Sequence, residues 1–239
     1  THTVDDLNAA VTKARTAYAA VRHTTHDKRS ALLMEVADAI EANAEPLAQL
    51  LSREQGKPLN GPNARFEIAG AAAWTRATAS FTLEPEVLVD DDQTYSTVTY
   101  RPLGVVGAIG PWNWPIMITV WQIAPALRMG NTVIVKPSEY TPLSVKALVH
   151  LYQCVFAADT IHYVSGDREI GAALASHPDV DKIMFTGSTA TGKKIIEASA
   201  STSKRLTLEL GGNDAGIVLD DVDPAAIAED LFWGAFINT

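Results

Sequence analysis

Residues 104–139 read GVVGAIGPWNWPIMITVWQIAPALRMGNTVIVKPSE. Short apolar runs at 104–109 and 132–135 flank a segment, 116–129, whose apolar residues recur at helical spacing. Two strands joined by a helix of this length predict a βαβ unit, whose strands lie parallel in one sheet. This unit decides the fold, because the residues after it repeat the pattern.

The same alternation continues towards the carboxyl end. Apolar runs at 161–164, 182–185, 205–210 and 215–219 predict further strands, and helical patterns fill most of the intervals, at 143–156, 169–175 and 190–200. Alternating strands and helices predict an α/β fold, here a Rossmann-like, doubly wound and mostly parallel sheet. Because ligands bind such sheets at the carboxyl ends of the strands, the motifs that follow strands are the candidates for chemistry.

The residues before this sheet show two other patterns. Residues 1–83 contain segments with apolar positions three and four apart, which predicts N-terminal helices. Residues 84–101 include the run YSTVTY at 95–100, whose β-branched and aromatic residues predict a protruding β-ribbon.

Charge and composition exclude several classes of function. The chain has 19 Lys and Arg against 28 Asp and Glu, a formal net charge of -9, which argues against binding nucleic acid phosphates. Residues 103–127 have no charged side chain and are long enough to cross a bilayer, but Pro111, Pro115 and Pro125 exclude one continuous membrane-spanning helix. The sequence therefore predicts no nucleic acid partner and no membrane partner.

The cysteine and histidine contents bear on compartment and metal binding. Cys154 is the single cysteine and no secretory signal opens the sequence, so a cytoplasmic location is predicted. Cys154 stands at helical spacing with Leu148, Leu151 and Val155, which predicts a buried structural thiol. The six histidines have no metal-ligand spacing, and no metal site is assigned.

The first motif after a strand is GPWNWP at 110–115. Its two prolines fix the backbone around Asn113, whose side-chain amide can donate hydrogen bonds to a developing oxyanion. The alternative is a rigid loop in which Asn113 caps the following helix.

The second motif is KPSE at 136–139. Glu139 can accept hydrogen bonds from two ribose hydroxyls, and Lys136 can donate to the same sugar. The carboxylate would repel a ribose 2′-phosphate, which favours NAD over NADP. The alternative is a surface ion pair.

Two later motifs also follow strands. FTGSTATG at 185–192 places glycines and hydroxyl residues at the start of a helix, where N–H groups can approach a phosphate, although a tight turn explains it equally well. Glu209 lies within LELGGN at 208–213, where flanking leucines can desolvate the carboxylate, raise its pKa and suit it to act as a general base. The alternative is an outward-facing strand residue.

Together and in this order, these four motifs resemble those of the NAD(P)-dependent aldehyde dehydrogenase superfamily. The resemblance covers nearly the whole chain and includes GKP at 56–58 and GNT at 130–132. It implies that Asn113 is the oxyanion-hole amide and Glu209 the general base, the two predicted catalytic residues. It also implies the cofactor-binding residues for NAD, with NADP less favoured: Ile109, Pro111, Trp112, Asn113, Lys136, Ser138, Glu139, Gly166, Gly171, Gly187, Ser188, Gly192 and Leu210.

The resemblance further implies an oxidoreductase with a small-molecule aldehyde as substrate. In that family a cysteine thiolate attacks the aldehyde to give a thiohemiacetal, hydride passes to NAD, and the resulting thioester is hydrolysed to the carboxylic acid. Residues 236–239, FINT, resemble the beginning of the segment that carries this cysteine, which is expected about four positions beyond Thr239. Cys154 does not match that position, so the 239-residue chain alone is predicted to be inactive. For Trp114, Met117 and Trp121 apolar helix packing is the favoured interpretation, and an apolar wall for the substrate is the alternative.

The resemblance implies a division of the chain and an assembly. Residues 1–83 are expected to be the helical part of the NAD-binding domain, 84–102 an oligomerisation ribbon, 103–211 the Rossmann-like NAD-binding core, and 212–239 the start of a truncated catalytic domain. A homodimer or homotetramer is expected for the full-length protein. Two alternatives stay open: a stand-alone, non-catalytic dinucleotide-binding module, and a structural oligomerisation unit built on the ribbon.

Overall fold

A computed structural model describes residues 1–238. Its helices are α1 (Val4–Val21), α2 (His26–Ala42), α3 (Ala44–Gln55), α4 (Ala64–Ser80), α5 (Pro115–Arg128), α6 (Pro142–Val155), α7 (Arg168–Ser176), α8 (Thr189–Ser199) and α9 (Pro224–Phe236). Its strands are β1 (Glu86–Asp90), β2 (Tyr95–Val98), β3 (Val105–Ile109), β4 (Thr132–Lys136), β5 (Ile161–Tyr163), β6 (Lys182–Thr186) and β7 (Arg205–Glu209). The N-terminal helices, and the strands and helices predicted between residues 104 and 209, are confirmed.

The central sheet has the strand order β5-β4-β3-β6-β7, and all neighbouring strands are parallel. The chain runs outward from β3 to β5 and then returns to the other side of β3 as β6. This reversal opens a crevice at the carboxyl ends of β3 and β6, the place where doubly wound sheets bind ligands. The predicted α/β, Rossmann-like fold is confirmed.

Two apolar cores cover the two faces of this sheet. Successive strand side chains point to opposite faces. Val106 and Ala108 accordingly belong to the core formed with α2 to α6, whereas Val105 and Ile109 belong to the core formed with α1, α7 and α8. Every residue of β3 and β4 is buried, as expected for parallel strands covered by helices on both sides. The loops at the carboxyl ends of these strands are therefore attached to a rigid edge.

The charge-free stretch 103–127 forms β3, a loop and α5. This agrees with the prediction that the stretch is not one continuous helix, although Pro125 lies inside α5. Over residues 1–238, no helix is both long enough and apolar enough to cross a bilayer.

The predicted ribbon is present as the antiparallel pair β1 and β2. Its register shifts between Val87 and Val89, and all side chains of β1 are exposed. The turn is closed by Asp91, whose Oδ1 accepts hydrogen bonds from the main-chain N–H groups of Gln93 at 2.9 Å and Thr94 at 2.8 Å. An isolated two-stranded ribbon is only marginally stable in water, so local contacts such as these matter here.

The strand predicted at 215–219 does not form. These residues have no regular secondary structure, and Ile217 is 82% exposed. In the described part of the chain β7 is the edge strand of the sheet, and the apolar run does not pair with it. Helix α9, which the sequence analysis did not predict, begins where the Asp223 side chain accepts from the N–H of Ala225 at 3.0 Å and Pro224 occupies the first turn.

The prediction that Cys154 is buried is wrong. Its side chain is exposed on α6, with Sγ 3.7 Å from Nε2 of His150. The buried face of α6 includes Leu148 and Tyr152. Cys154 lies six residues, or about 1.7 turns, after Leu148 and therefore faces away from the core.

Candidate functional site

A cleft of about 1380 Å³ opens at the carboxyl ends of β3, β4, β6 and β7. Carboxyl ends of parallel strands meet at one edge, so loops far apart in sequence converge there. Most of the predicted site residues line this cleft, namely Ile109, Pro111, Trp112, Asn113, Lys136, Ser138, Glu139, Gly171, Gly187, Ser188, Glu209 and Leu210.

Two predicted cofactor residues, Gly166 and Gly192, are not among those that line the cleft. A Cβ atom on Gly166 would stand 2.4 Å from Cγ1 of Ile170, and one on Gly192 would stand 2.6 Å from Cδ2 of Leu210. Both separations are far shorter than van der Waals contact. Glycine at these positions lets neighbouring side chains pack closely behind the site.

The main chain of Asn113 is held by three side chains. Its carbonyl oxygen accepts hydrogen bonds from Gln55 Nε2 at 2.9 Å, Lys57 Nζ at 2.8 Å and Asn238 Nδ2 at 3.1 Å. Asn113 is partly exposed, and the N-cap residue of α5 is Trp114. The helix-cap alternative is therefore not realised, and the carbonyl is fixed beside the cleft.

Lys136 is only 5% exposed at the end of β4. Its Nζ donates to the carbonyl oxygen of Pro137 at 2.9 Å, the one protein acceptor at hydrogen-bond distance within residues 1–238. Burial lowers the pKa of Lys136, and the nearby carboxylates of Glu139 and Asp167 partly offset this effect. An ammonium has three N–H donors, so two remain for a ligand. Because Lys136 is buried, the alternative of a surface ion pair is wrong for this residue.

The turn between β6 and α8 is tied to the end of β7. The N–H of Gly187 donates to the carbonyl of Glu209 at 2.9 Å, and the Ser188 side chain caps α8 by accepting from the N–H of Thr191 at 3.2 Å. A Cβ atom on Gly187 would lie 2.5 Å from the ring of Phe185. The first N–H groups of α8 have no intrahelical partner. Together with the helix dipole they make this N-terminus favourable for an anion.

Glu209 is the last residue of β7 and lies opposite Thr186 in the sheet register, and Leu210 follows it. Both side chains are exposed within the described residues. The expected desolvation of Glu209 by its flanking leucines does not occur here, since alternate residues of a strand face opposite sides. The role of Glu209 as a base stays a prediction.

Three polar residues near the site were not predicted. Gln122 is 4% exposed in the apolar helix α5 and donates from Nε2 to the carbonyl of Ile109 at 3.2 Å. Lys57 and Glu67 form an ion pair of 2.7 Å, and neither side chain has exposed surface. One signal points to Glu67: it stands three residues after Ala64 and one before Ile68, on the stripe of α4 that packs into the core.

No group of three or more potential metal-ligating side chains occurs in the part of the chain that the structure describes. The single thiol, Cys154, does not line the cleft. The groups available at the cleft are thus hydrogen-bond donors, a buried ammonium and carboxylates.

Fold and site together define an α/β protein with a ligand cleft at the reversal point of a doubly wound sheet. Residues 1–239 match the aldehyde dehydrogenase family, and the chain belongs to this family. The aldehyde dehydrogenase LUC3 of a Fusarium species is 43% identical over 233 residues, which cover 98% of this chain and 49% of that protein.

Solved structures give the same result. PnpE of Pseudomonas sp. WBC-3, crystallised in complex with nicotinamide adenine dinucleotide, is 41% identical with a TM-score of 0.93 and is matched over 98% of this chain and 49% of its own. Betaine aldehyde dehydrogenase of Staphylococcus aureus in complex with NAD+ is 30% identical with a TM-score of 0.93, over 98% of this chain and 48% of its own. The chain spans about half the length of the curated relatives it matches.

Proposed function

We propose that this chain forms the NAD-binding part of an enzyme that oxidises an aldehyde to a carboxylic acid. The observation that carries the proposal is the cleft, which brings Asn113, Lys136, Ser188 and Glu209 from four different strand ends to one edge of the sheet. The NAD complexes of two similar family members support the choice of cofactor.

The residues of the cleft fit a dinucleotide. The spare N–H donors of buried Lys136 and the exposed carboxylate of Glu139 suit ribose hydroxyls, and the N-terminus of α8 behind Gly187 and Ser188 suits phosphate. Gly171 lies directly beside the stem of Lys136: a Cβ added at Gly171 would be in van der Waals contact with Cε of the lysine, at 3.6 Å. NAD, when bound, supplies the acceptor for the hydride.

The chain's own residues are assigned two chemical roles. The Asn113 amide donates to the aldehyde oxygen as negative charge develops on it, and Glu209 accepts a proton from the water that attacks the thioester. The thiolate that forms the thiohemiacetal is not Cys154, because Cys154 is exposed on α6 outside the cleft. We therefore assign the nucleophile to protein sequence outside these 239 residues.

The wall beside Asn113 supports an aldehyde with an apolar body. Trp121 lines the cleft, is 39% exposed and packs against Trp74 with ring centroids 5.3 Å apart. Helix packing therefore uses only part of the Trp121 surface, and the rest is available to a substrate.

The division at residues 83, 102 and 211 is part of the proposal, as is a homodimer or homotetramer in the cytoplasm. The exposed ribbon at 84–102 supports an oligomerisation role, since a two-stranded ribbon gains most of its stability from what packs on it. Thr239, which completes the proposed start of the catalytic domain, lies outside the described residues.

Titration of NAD into the 239-residue chain tests the proposal. We expect saturable binding, no NADH formation with aldehyde, and a Kd raised about tenfold or more in Lys136→Met, because a hydrogen bond to a charged group contributes about 1.5–3 kcal/mol. Lys146→Met, which removes an exposed lysine of α6 outside the cleft, is the matched control and should bind as wild type does. Absence of NAD binding, or any aldehyde turnover by this chain, whether or not it survives alkylation of Cys154, contradicts the proposal.

A further inference from the structure

A buried ion pair lies beneath the Asn113 loop without lining the cleft. Lys57 Nζ is 2.7 Å from Oε2 of Glu67, and neither side chain has exposed surface. Lys57 follows Gly56, which ends α3 in the left-handed conformation with φ of 83° and turns the chain towards α4. Ser52 fixes this turn by donating from its hydroxyl to the carbonyl of Lys57 at 2.7 Å.

The lysine of this pair contacts the site loop directly. Its Nζ donates to the main-chain oxygen of Asn113 at 2.8 Å and stands 3.7 Å from the centre of the Trp114 ring. A cation over an indole face is attracted to it, more strongly when water is excluded. Lys57 therefore fixes two consecutive residues of the loop, one by a hydrogen bond and one through its ring.

The glutamate of the pair holds the helix that follows the loop. Its second oxygen, Oε1, accepts hydrogen bonds from the main-chain N–H groups of Ile116 at 2.8 Å and Met117 at 3.1 Å. Helix α5 has no cap from the side chain of its own N-cap residue, Trp114. Glu67 supplies that cap from α4, and its negative charge is favoured at the positive end of the helix.

Stability alone does not account for this pair. Burial lowers the pKa of Lys57 and raises the pKa of Glu67, because each charge has lost its water. Desolvation of a buried ion pair often exceeds the attraction between its members, and an apolar pair of the same volume is frequently as stable. What the ion pair does, and an apolar pair could not do, is fix the position of the loop before α5. Lys57 holds this loop on one side and Glu67 holds it on the other.

We propose that Lys57 and Glu67 are positioning residues, which fix the Asn113 amide where the oxygen of the bound aldehyde becomes negative. The proposal rests on the function proposed above. A preorganised donor acts only when it stands at the position of the developing charge, and a displacement of about 1 Å can lower a rate about a hundredfold. Neither residue touches substrate or cofactor in this assignment; both act through the backbone of residues 113–117.

The first test separates kcat from KM in the whole enzyme. Glu67→Gln and Lys57→Met are expected to lower kcat at least about tenfold, with KM for aldehyde and Kd for NAD changed less than about threefold. Ile68→Ala, which creates a cavity at the neighbouring buried position of α4, is the matched control and should lower Tm at least as much while leaving kcat unchanged. Equal losses of kcat in the control and in the pair variants overturn the proposal.

A second variant covers the case in which the pair variants do not fold. Gln55→Ala removes one donor to the Asn113 carbonyl and leaves the buried pair intact. It is expected to lower kcat about threefold or more without a matching change in KM. If Glu67→Gln and Lys57→Met do not fold and Gln55→Ala has an unchanged kcat, the positioning proposal is refuted.

A readout without turnover separates this proposal from the proposed function. In nuclear magnetic resonance spectra of the 239-residue chain, Glu67→Gln and Lys57→Met should shift the side-chain amide of Asn113, whereas Ile68→Ala should not. A wild-type enzyme that fails to oxidise any aldehyde defeats the proposed function, and the amide shifts then decide the positioning proposal alone. An Asn113 amide that keeps its shift in both pair variants overturns it.

Discussion

The carboxylates of Glu67 and Glu139 both lie near the cleft, but their surroundings differ and suit them to different roles. Glu67 has no exposed surface and is bonded on both oxygens, so it can hold structure but cannot reach a ligand. Glu139 is exposed and lines the cleft. A carboxylate with free lone pairs at that place can accept hydrogen bonds from hydroxyl groups, and its charge repels a phosphate.

We expect Glu139 to set the selectivity between the two nicotinamide cofactors. Glu139→Gln removes the charge but keeps the size, so the ratio of Kd for NADP to Kd for NAD should fall about fivefold or more, which corresponds to about 1 kcal/mol of lost repulsion. Titrations of both cofactors measure the ratio. Glu35→Gln, an exposed change on α2 far from the cleft, should leave it unchanged. A ratio that stays the same in Glu139→Gln would show that another group excludes the 2′-phosphate.

At the scale of elements, the start of β3 depends on one unusual backbone position. Gly104 has φ of 140°, and a Cβ there would lie 1.8 Å from Oδ2 of Asp181. That carboxylate accepts from the N–H of Val105 at 2.7 Å and from the guanidinium of Arg15 at 2.6 Å. Asp181 thereby fixes the central strand of the sheet to α1.

A substitution at Gly104 should therefore destabilise the whole sheet. Gly104→Ala combines a disallowed φ with a clash against Asp181, and we expect it to lower the free energy of unfolding by about 3 kcal/mol or more and Tm by roughly 5–10 °C. Gly216→Ala, where an added Cβ meets nothing within 4 Å, is the matched control and should change Tm by less than about 2 °C. Thermal unfolding followed by circular dichroism compares the two; a Tm for Gly104→Ala close to that of the control would contradict the account.

The same elements show what the sequence can and cannot predict. Strands β3 and β4 are predictable because burial on both faces demands continuous apolar runs, and the motifs after them meet because parallel strands end at one edge. The apolar run at 215–219 looks the same in sequence but does not pair with the edge strand β7 within the described residues, so local composition alone misleads. The link from Lys57 to Asn113 spans 56 positions and exists only in three dimensions.

For the whole molecule, the two apolar cores define what folds as one unit. The two cores together draw most of their residues from α1 to α8 and β3 to β7, and none comes from residues 210–238. No residue of α9 is buried. We therefore expect the cooperative unit of this chain to comprise residues up to 211, in agreement with the boundary proposed there.

Removal of residues 212–239 tests this description. Among the described residues, the deletion removes no core residue and one hydrogen bond to the rest of the chain, that from Asn238 to the Asn113 carbonyl. We therefore expect the free energy of unfolding to change by about 1 kcal/mol or less and Tm by less than about 3 °C. The comparison is removal of residues 1–22, which takes away the fully buried Leu7, Val11 and Ala14. That chain should lose several kcal/mol, because large apolar side chains leave one face of the sheet. Urea unfolding of the full chain and the two shortened chains measures the free energy of unfolding of each. If the first deletion lowers this free energy as much as the second does, residues 212–238 belong to the folding unit.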